Sequence, residues 1–339
     1  MLNPPRHVPL AIMTRGGAAE SVHYGSVAVT DAEGNLLHAA GDPGARMFTR
    51  SSLKPFQAMP VLASGADRAY GYGPRELALM CASHSGEPRH VEVVSGMLGK
   101  IDCGAQDLQC GCHVPYFYQY LDRMPEPGAT YSTLQHNCSG KHSGMLTYCR
   151  HCGAGIADYL DPAHPLQQAI RRSVAHFTGT ADADLILGID GCSAPNYALP
   201  LAGLARAFAR LTVAADDPEY GDAPTRLFDA MAAHPELVSG ERRNDLALMQ
   251  TGQGDWATKV GAEAMQGIAV RSRGIGIAIK IADGNPRALY PVTVAVLQQL
   301  GLLADPAVTP LAKYFEPPQH NLRGTVTGTI QPVVELRRV

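Results

Sequence analysis

The chain has 339 residues, 45% hydrophobic and 17% charged, which describes a soluble globular protein with a large interior. Twenty-eight Lys and Arg against 31 Asp and Glu leave a net charge of −3 with no basic block, so nucleic acid is not an evident partner. No apolar run is long enough for a secretory leader or a membrane span, and the cytoplasm is the default location.

In chain order, Val22–Thr30 and Leu36–Ala40 flank Asp31-Ala32-Glu33-Gly34-Asn35 and read as a hairpin. A helix is predicted from Ser52 to about Leu62, ending near Gly65, with Pro55 tolerated in its first turn. Pro74–Cys81 and Arg89–Leu98 read as helices around the tight loop His84–Pro88, and the aromatic, proline-rich stretch Tyr116–Tyr131 reads as an ordered loop. His142–His151 and Pro165–Phe177 are predicted helices, and Leu185–Ile189 a short buried strand entering the loop Asp190–Pro195. Helices follow at Leu199–Leu211, Thr225–Ala233 and Asn244–Gln250, then strands at Trp256–Gly261, Gly267–Val270 and Ile275–Ile281, then a helix over Arg287–Leu302. Strands towards both chain ends suggest an α/β fold whose sheet is built from both termini, one compact catalytic unit over 1–339 with a helical lobe within about 75–250.

Five runs carry chemistry. In Thr49-Arg50-Ser51-Ser52-Leu53-Lys54, Ser51 and Lys54 are three apart and share a helical face, so the amine can serve the hydroxyl, while Ser52 points elsewhere. The bland alternative is a helix start with a capping serine and a solvated lysine. In Cys81-Ala82-Ser83-His84-Ser85-Gly86-Glu87, short polar residues after an apolar helix suit a pocket-lining loop in which Ser83 could share protons with a lysine. His136-Asn137-Cys138-Ser139-Gly140-Lys141-His142-Ser143-Gly144 fails the phosphate-loop pattern because Gln135 stands at the first glycine and His142 follows the lysine. A metal site suits it better: Cys138 offers a thiolate, Lys141 and His142 follow one turn on, and Asp190 and Cys192 could return from a strand end. Lys259-Val260-Gly261 adds a strand-borne lysine of the kind that accompanies Ser-x-x-Lys. Cys110-Gly111-Cys112-His113 and Cys149-Arg150-His151-Cys152 lack a second pair at finger-like spacing and read as structural thiols.

Taken together, in this order and over most of the chain, these runs resemble the Rhizobium etli type, class 3 L-asparaginases of the asparaginase II family. The segment Glu263-Ala264 departs from the Glu-Gly expected there. The resemblance implies a fold similar to penicillin-binding proteins and serine β-lactamases, a homodimer, and hydrolysis of L-asparagine to L-aspartate and ammonia. It implies Ser51 as nucleophile with Lys54 as base, Ser83 paired with Lys259, zinc on Cys138, Lys141 and Cys192, and a substrate pocket lined by Arg50, His142 and Asp190. The competing readings are a glutaminase, esterase or β-lactam hydrolase on the same scaffold, and a zinc- or thiol-sensing binding protein.

Overall fold

A computed structural model describes residues 4–213 and 216–339. Its strands are β1 (Val8–Arg15), β2 (Ala18–Asp31), β3 (Leu36–Ala40), β4 (Arg46–Phe48), β5 (Ile186–Ile189), β6 (Pro195–Pro200), β7 (Trp256–Gly261), β8 (Met265–Val270), β9 (Ile275–Ile281), β10 (Pro318–His320), β11 (Val326–Pro332) and β12 (Arg337–Arg338). Its helices are α1 (Lys54–Ala63), α2 (Ala66–Ala69), α3 (Pro74–Met80), α4 (Pro88–Gly99), α5 (Tyr116–Tyr120), α6 (Ser139–Cys152), α7 (Pro165–Thr178), α8 (Leu201–Arg210), α9 (Ala223–Ala233), α10 (Pro235–Val238), α11 (Asn244–Gly252) and α12 (Pro286–Gln299).

The main sheet runs β10-β11-β1-β2-β9-β8-β7 and is antiparallel throughout, with β3 on the second half of β2 and β12 beyond it. Ala11 lies opposite Pro332, so the two ends of the chain do meet in one sheet. The period-2 alternation of a strand decides what each face meets. In β9, Ile277, Ile279 and Ile281 join Val27, Val29, Ile268 and Val270 in one core, which Leu289, Val292 and Val296 of α12 cover at helical spacing. Each such side chain, fully buried, contributes about 1.5–3 kcal/mol. The opposite face carries small residues, Ala28, Ala257, Ala269 and Ala278, against Leu204, Ala205 and Phe208 of α8 and the larger helical core.

Several expectations need correction. β1 goes unread in the sequence, because Pro9 and uneven patterning hide its alternation. β5 is not buried: it is the edge of a separate sheet, β4-β6-β5, and Ile186, Leu187 and Ile189 are 51%, 40% and 65% exposed. An apolar run signals a strand without saying that anything covers it. The helix expected from Leu199 begins at Leu201, because β6 takes the preceding residues for its pairing with β4 and β5. Tyr116–Tyr131, read as a loop, opens with α5.

Candidate active site

Ser51 sits in a 3-10 turn, Arg50–Leu53, that runs directly into α1. The turn is held by three hydrogen bonds to β6. Asn196 of β6 accepts from Arg50 N at 3.0 Å and donates to Arg50 O at 3.0 Å, and Thr49 N donates to Tyr197 O at 3.2 Å. Ser52 is buried and bonds back to Thr49 O at 2.5 Å, so only Ser51 of the two serines is left for chemistry. Behind the turn, a Cβ on Gly261 would lie 2.8 Å from Thr49 O, so β7 can approach this closely only with glycine there. Arg50 itself has φ +50, a left-handed conformation that a side-chain-bearing residue adopts only under constraint.

Two cavities meet at Ser51. The first, about 560 Å³, is bounded by Arg50, Asn137, Cys138, Asp190 and Cys192. The second, about 260 Å³, is bounded by Ser83, Tyr116, Tyr120, Arg243 and Tyr290. Cys110, Cys112 and His113, read from the sequence as structural, form part of the first wall.

Lys54 is wholly buried, and its amine donates to Ala82 O, to Ser83 Oγ at 2.9 Å and to Asn137 O at 3.4 Å. The hydroxyl bonded to Lys54 is therefore that of Ser83, not Ser51 as the spacing suggests. Two backbone carbonyls and a hydroxyl draw the amine past the residue one turn before it. Burial pushes the Lys54 amine below its ordinary pKa, against the pull of Cys138. Lys259 is not bonded to Ser83 either: its amine donates to Val260 O at 2.6 Å and stands 3.7 Å from Asp245. Burial brings its pKa down to about 7, Asp245 opposing and Lys54 reinforcing the shift.

Asp245, which no motif announces, is fully buried and accepts from Thr258 Oγ1 at 2.9 Å, Val260 N at 2.9 Å and Gln266 Nε2 at 3.0 Å. Arg243 was equally unread. The only faint sign of both is the polar run Arg242-Arg243-Asn244-Asp245 at the head of a helix. His84 plays a structural part: it accepts from Gly86 N at 3.1 Å, bonds Ser139 at 2.9 Å and stacks on His90, and burial keeps its imidazole neutral.

The thiol cluster is built by α6 and the loop after β5. Gly140 lets α6 lie against α3, since a Cβ there would collide with the carbonyl oxygen and side chain of Leu79. Lys141 Nζ is 3.0 Å from Cys192 Sγ. A hydrogen bond from the Cys138 thiol, with Lys141 and His142 nearby, outweighs burial and holds Cys192 as thiolate, while the same bond and burial keep Cys138 protonated. Burial disfavours the Lys141 ammonium, but the two sulfurs outweigh it and raise its pKa. His142 does not line either cavity. It is buried, its Nδ1 is 2.7 Å from the Tyr159 hydroxyl, and its Nε2 has no hydrogen-bond partner among the described residues. Asp190 does face the first cavity, accepting from Arg50 Nε at 2.7 Å and Gly191 N at 2.8 Å.

Comparison with known proteins gives one family. The model of the L-asparaginase II family matches residues 11–332. No curated protein matches the chain. Solved structures of Mglu are similar at low identity. Its native form has 15% identity and TM-score 0.44, covering 91% of this chain and 69% of that one. The form in 4.3 M NaCl has 14% identity and TM-score 0.36, covering 82% of this chain and 61% of that one. The chain thus spans about two thirds of the length of these structures. The family match extends over nearly the whole sequence, and the chain belongs to the L-asparaginase II family of amidohydrolase enzymes.

Proposed function

We propose that the protein hydrolyses L-asparagine to L-aspartate and ammonia through an ester on Ser51. The observation that carries this reading is the position of Ser51 at the junction of two cavities, sharing the second with Ser83, whose hydroxyl is bonded to a buried lysine amine biased towards neutrality. A neutral Lys54 takes the serine proton, with the Lys54–Ser83 hydrogen bond as its relay. Attack on the side-chain carbonyl forms the ester and breaks the C–N bond, and the departing amine takes up the proton. Water then releases aspartate. Lys259, buried beside Asp245 with its pKa brought down to about 7, is a second proton store. Arg50, fixed by Asp190, presents its remaining donors to the charged end of the substrate. A short Ser-x-x-Lys helix beside an antiparallel sheet that bears a lysine favours kinship with the penicillin-binding scaffold.

The 2.9 Å bond between Ser83 and Lys54 favours a second reading, in which Ser83 is the nucleophile. Peptide mapping of the enzyme quenched during turnover separates the two: we expect the aspartyl ester on the peptide containing Ser51, and an ester on Ser83 would reverse the assignment.

The resemblance implies zinc, and the donor chemistry fits it. Two sulfurs adjoin, one as thiolate, and the unpartnered Nε2 of His142 is close by. Without the lysine, no group of three His, Cys, Asp or Glu side chains converges among the described residues. Cys138, Lys141 and Cys192 would hold the ion, which would supply a fixed positive charge at the wall of the first cavity. We also propose a homodimer; sedimentation equilibrium would read this directly, and a monomer would refute it.

A further inference from the structure

The second cavity is larger than ammonia requires, and its chemistry points to a particular occupant. Arg243 is 5% exposed and makes no ion pair among the described residues. Its Nη1 donates to Ser83 O and Ser239 O, its Nε is buried without a partner, and no described residue accepts from its Nη2. The guanidinium lies over the rings of Tyr120 (4.9 Å) and Tyr116 (5.6 Å), which partly offset its charge in place of a carboxylate. A buried guanidinium left one partner short is costly unless something else supplies the anion. Of the ionisable groups around it, Lys54 and Lys259 are amines and supply no anion, and Asp245 is already held by Thr258, Val260 and Gln266. Glu263, at the cavity rim, is 67% exposed and turned towards Arg50 at 3.9 Å.

We infer that this cavity is a leaving-group subsite for an amine that carries a carboxylate, so that the enzyme also cleaves β-aspartyl amino acids. The inference rests on the asparaginase reading of Ser51. With the aspartyl half in the first cavity and the scissile carbonyl at Ser51, the substituent on the amide nitrogen extends into the second cavity, its carboxylate against Arg243. The chemistry is unchanged. Ser51 Oγ forms the ester, the C–N bond breaks, the amino acid departs with the proton that Ser51 gave up, and water hydrolyses the ester to aspartate.

The test compares three substrates on the wild-type enzyme: L-asparagine, β-L-aspartyl-L-leucine and β-L-aspartyl-L-leucinamide, which lacks the leaving-group carboxylate. A charge-assisted hydrogen bond predicts kcat/KM for the acid at least about tenfold above that for the amide. Arg243→Gln should bring the two rates together, and Arg243→Lys should keep part of the preference. Hydrolysis of asparagine with none of either dipeptide overturns the subsite and leaves the asparaginase reading intact. Equal rates on acid and amide overturn the role of Arg243. Silence on all three substrates overturns the asparaginase reading, and the subsite with it. Because the substrate comparison needs no mutant, a variant that fails to fold does not rescue the inference.

Discussion

Ser51, Ser83, Lys54 and Lys259 stand out in the sequence through Ser-x-x-Lys, a polar loop after an apolar helix and Lys-x-Gly; in the fold Ser51 and Ser83 line one cavity and both lysines are buried. Their pairing was not legible. Spacing joins Ser51 to Lys54, yet the amine bonds Ser83, which lies 29 positions away, because Ala82 and Asn137 offer it carbonyls. Arg243 and Asp245 escaped for a related reason: nothing local marks a polar side chain as buried, and only the closed fold brings them behind Ser83 and Lys259. The thiol cluster is a similar case, with both cysteines picked out and their contact invisible. There the Lys141 amine lies against Cys192, and its pKa is raised by the two sulfurs, so zinc held as proposed would displace protons from Lys141 and from the Cys138 thiol. Zinc titrations by calorimetry in buffers of different ionisation enthalpy should show protons released on binding and affinity rising with pH. Binding without proton release would exclude Lys141 from the ligand set.

At the level of elements, the helices were the more readable, since capping, proline and 3.6-residue periodicity bracket most of them. Strands without clean alternation are less so: β1 carries Pro9, and the apolar run of β5 reads as buried although Ile186, Leu187 and Ile189 are exposed. The hairpin joining β7 to β8 matters most for the site, because Glu263 and Ala264 both take left-handed conformations, φ 60 and φ 52, beside Arg50. Ala264 stands where the family resemblance leads one to expect glycine. A left-handed alanine costs about 1–2 kcal/mol, offset in part by the freedom that glycine has in the unfolded chain. Ala264→Gly should therefore raise the melting temperature slightly and leave KM unchanged. A fall in stability would mean that the alanine methyl makes contacts outweighing the strain.

For the whole molecule, the sequence announces a sheet drawn from both halves of the chain: the predicted strands Val22–Thr30 and Ile275–Ile281 lie side by side as β2 and β9, while β1 and β11, which extend that sheet, go unread. What it could not announce is how much charge the fold buries. Lys54 and Lys259 have folded pKa values below their unfolded ones, and so does Cys192. In each case the unfolded chain binds more protons than the folded one, so stability rises with pH, for Lys259 between about 7 and its unfolded value near 10.4. Burial acts oppositely on the thiols of Cys81, Cys110 and Cys149, so the Lys259 contribution is read by difference: in thermal unfolding between pH 7 and 9, the slope of melting temperature against pH should be less positive in Lys259→Met than in the wild type. An unchanged slope in that variant would show that Lys259 is not buried as described. The account depends most on the hydroxyl at the junction of the two cavities, and ammonia release from L-asparagine by a folded Ser51→Ala variant tests it most directly. The predicted result is a fall in kcat/KM of about a thousandfold or more. Turnover close to that of the wild type would contradict it.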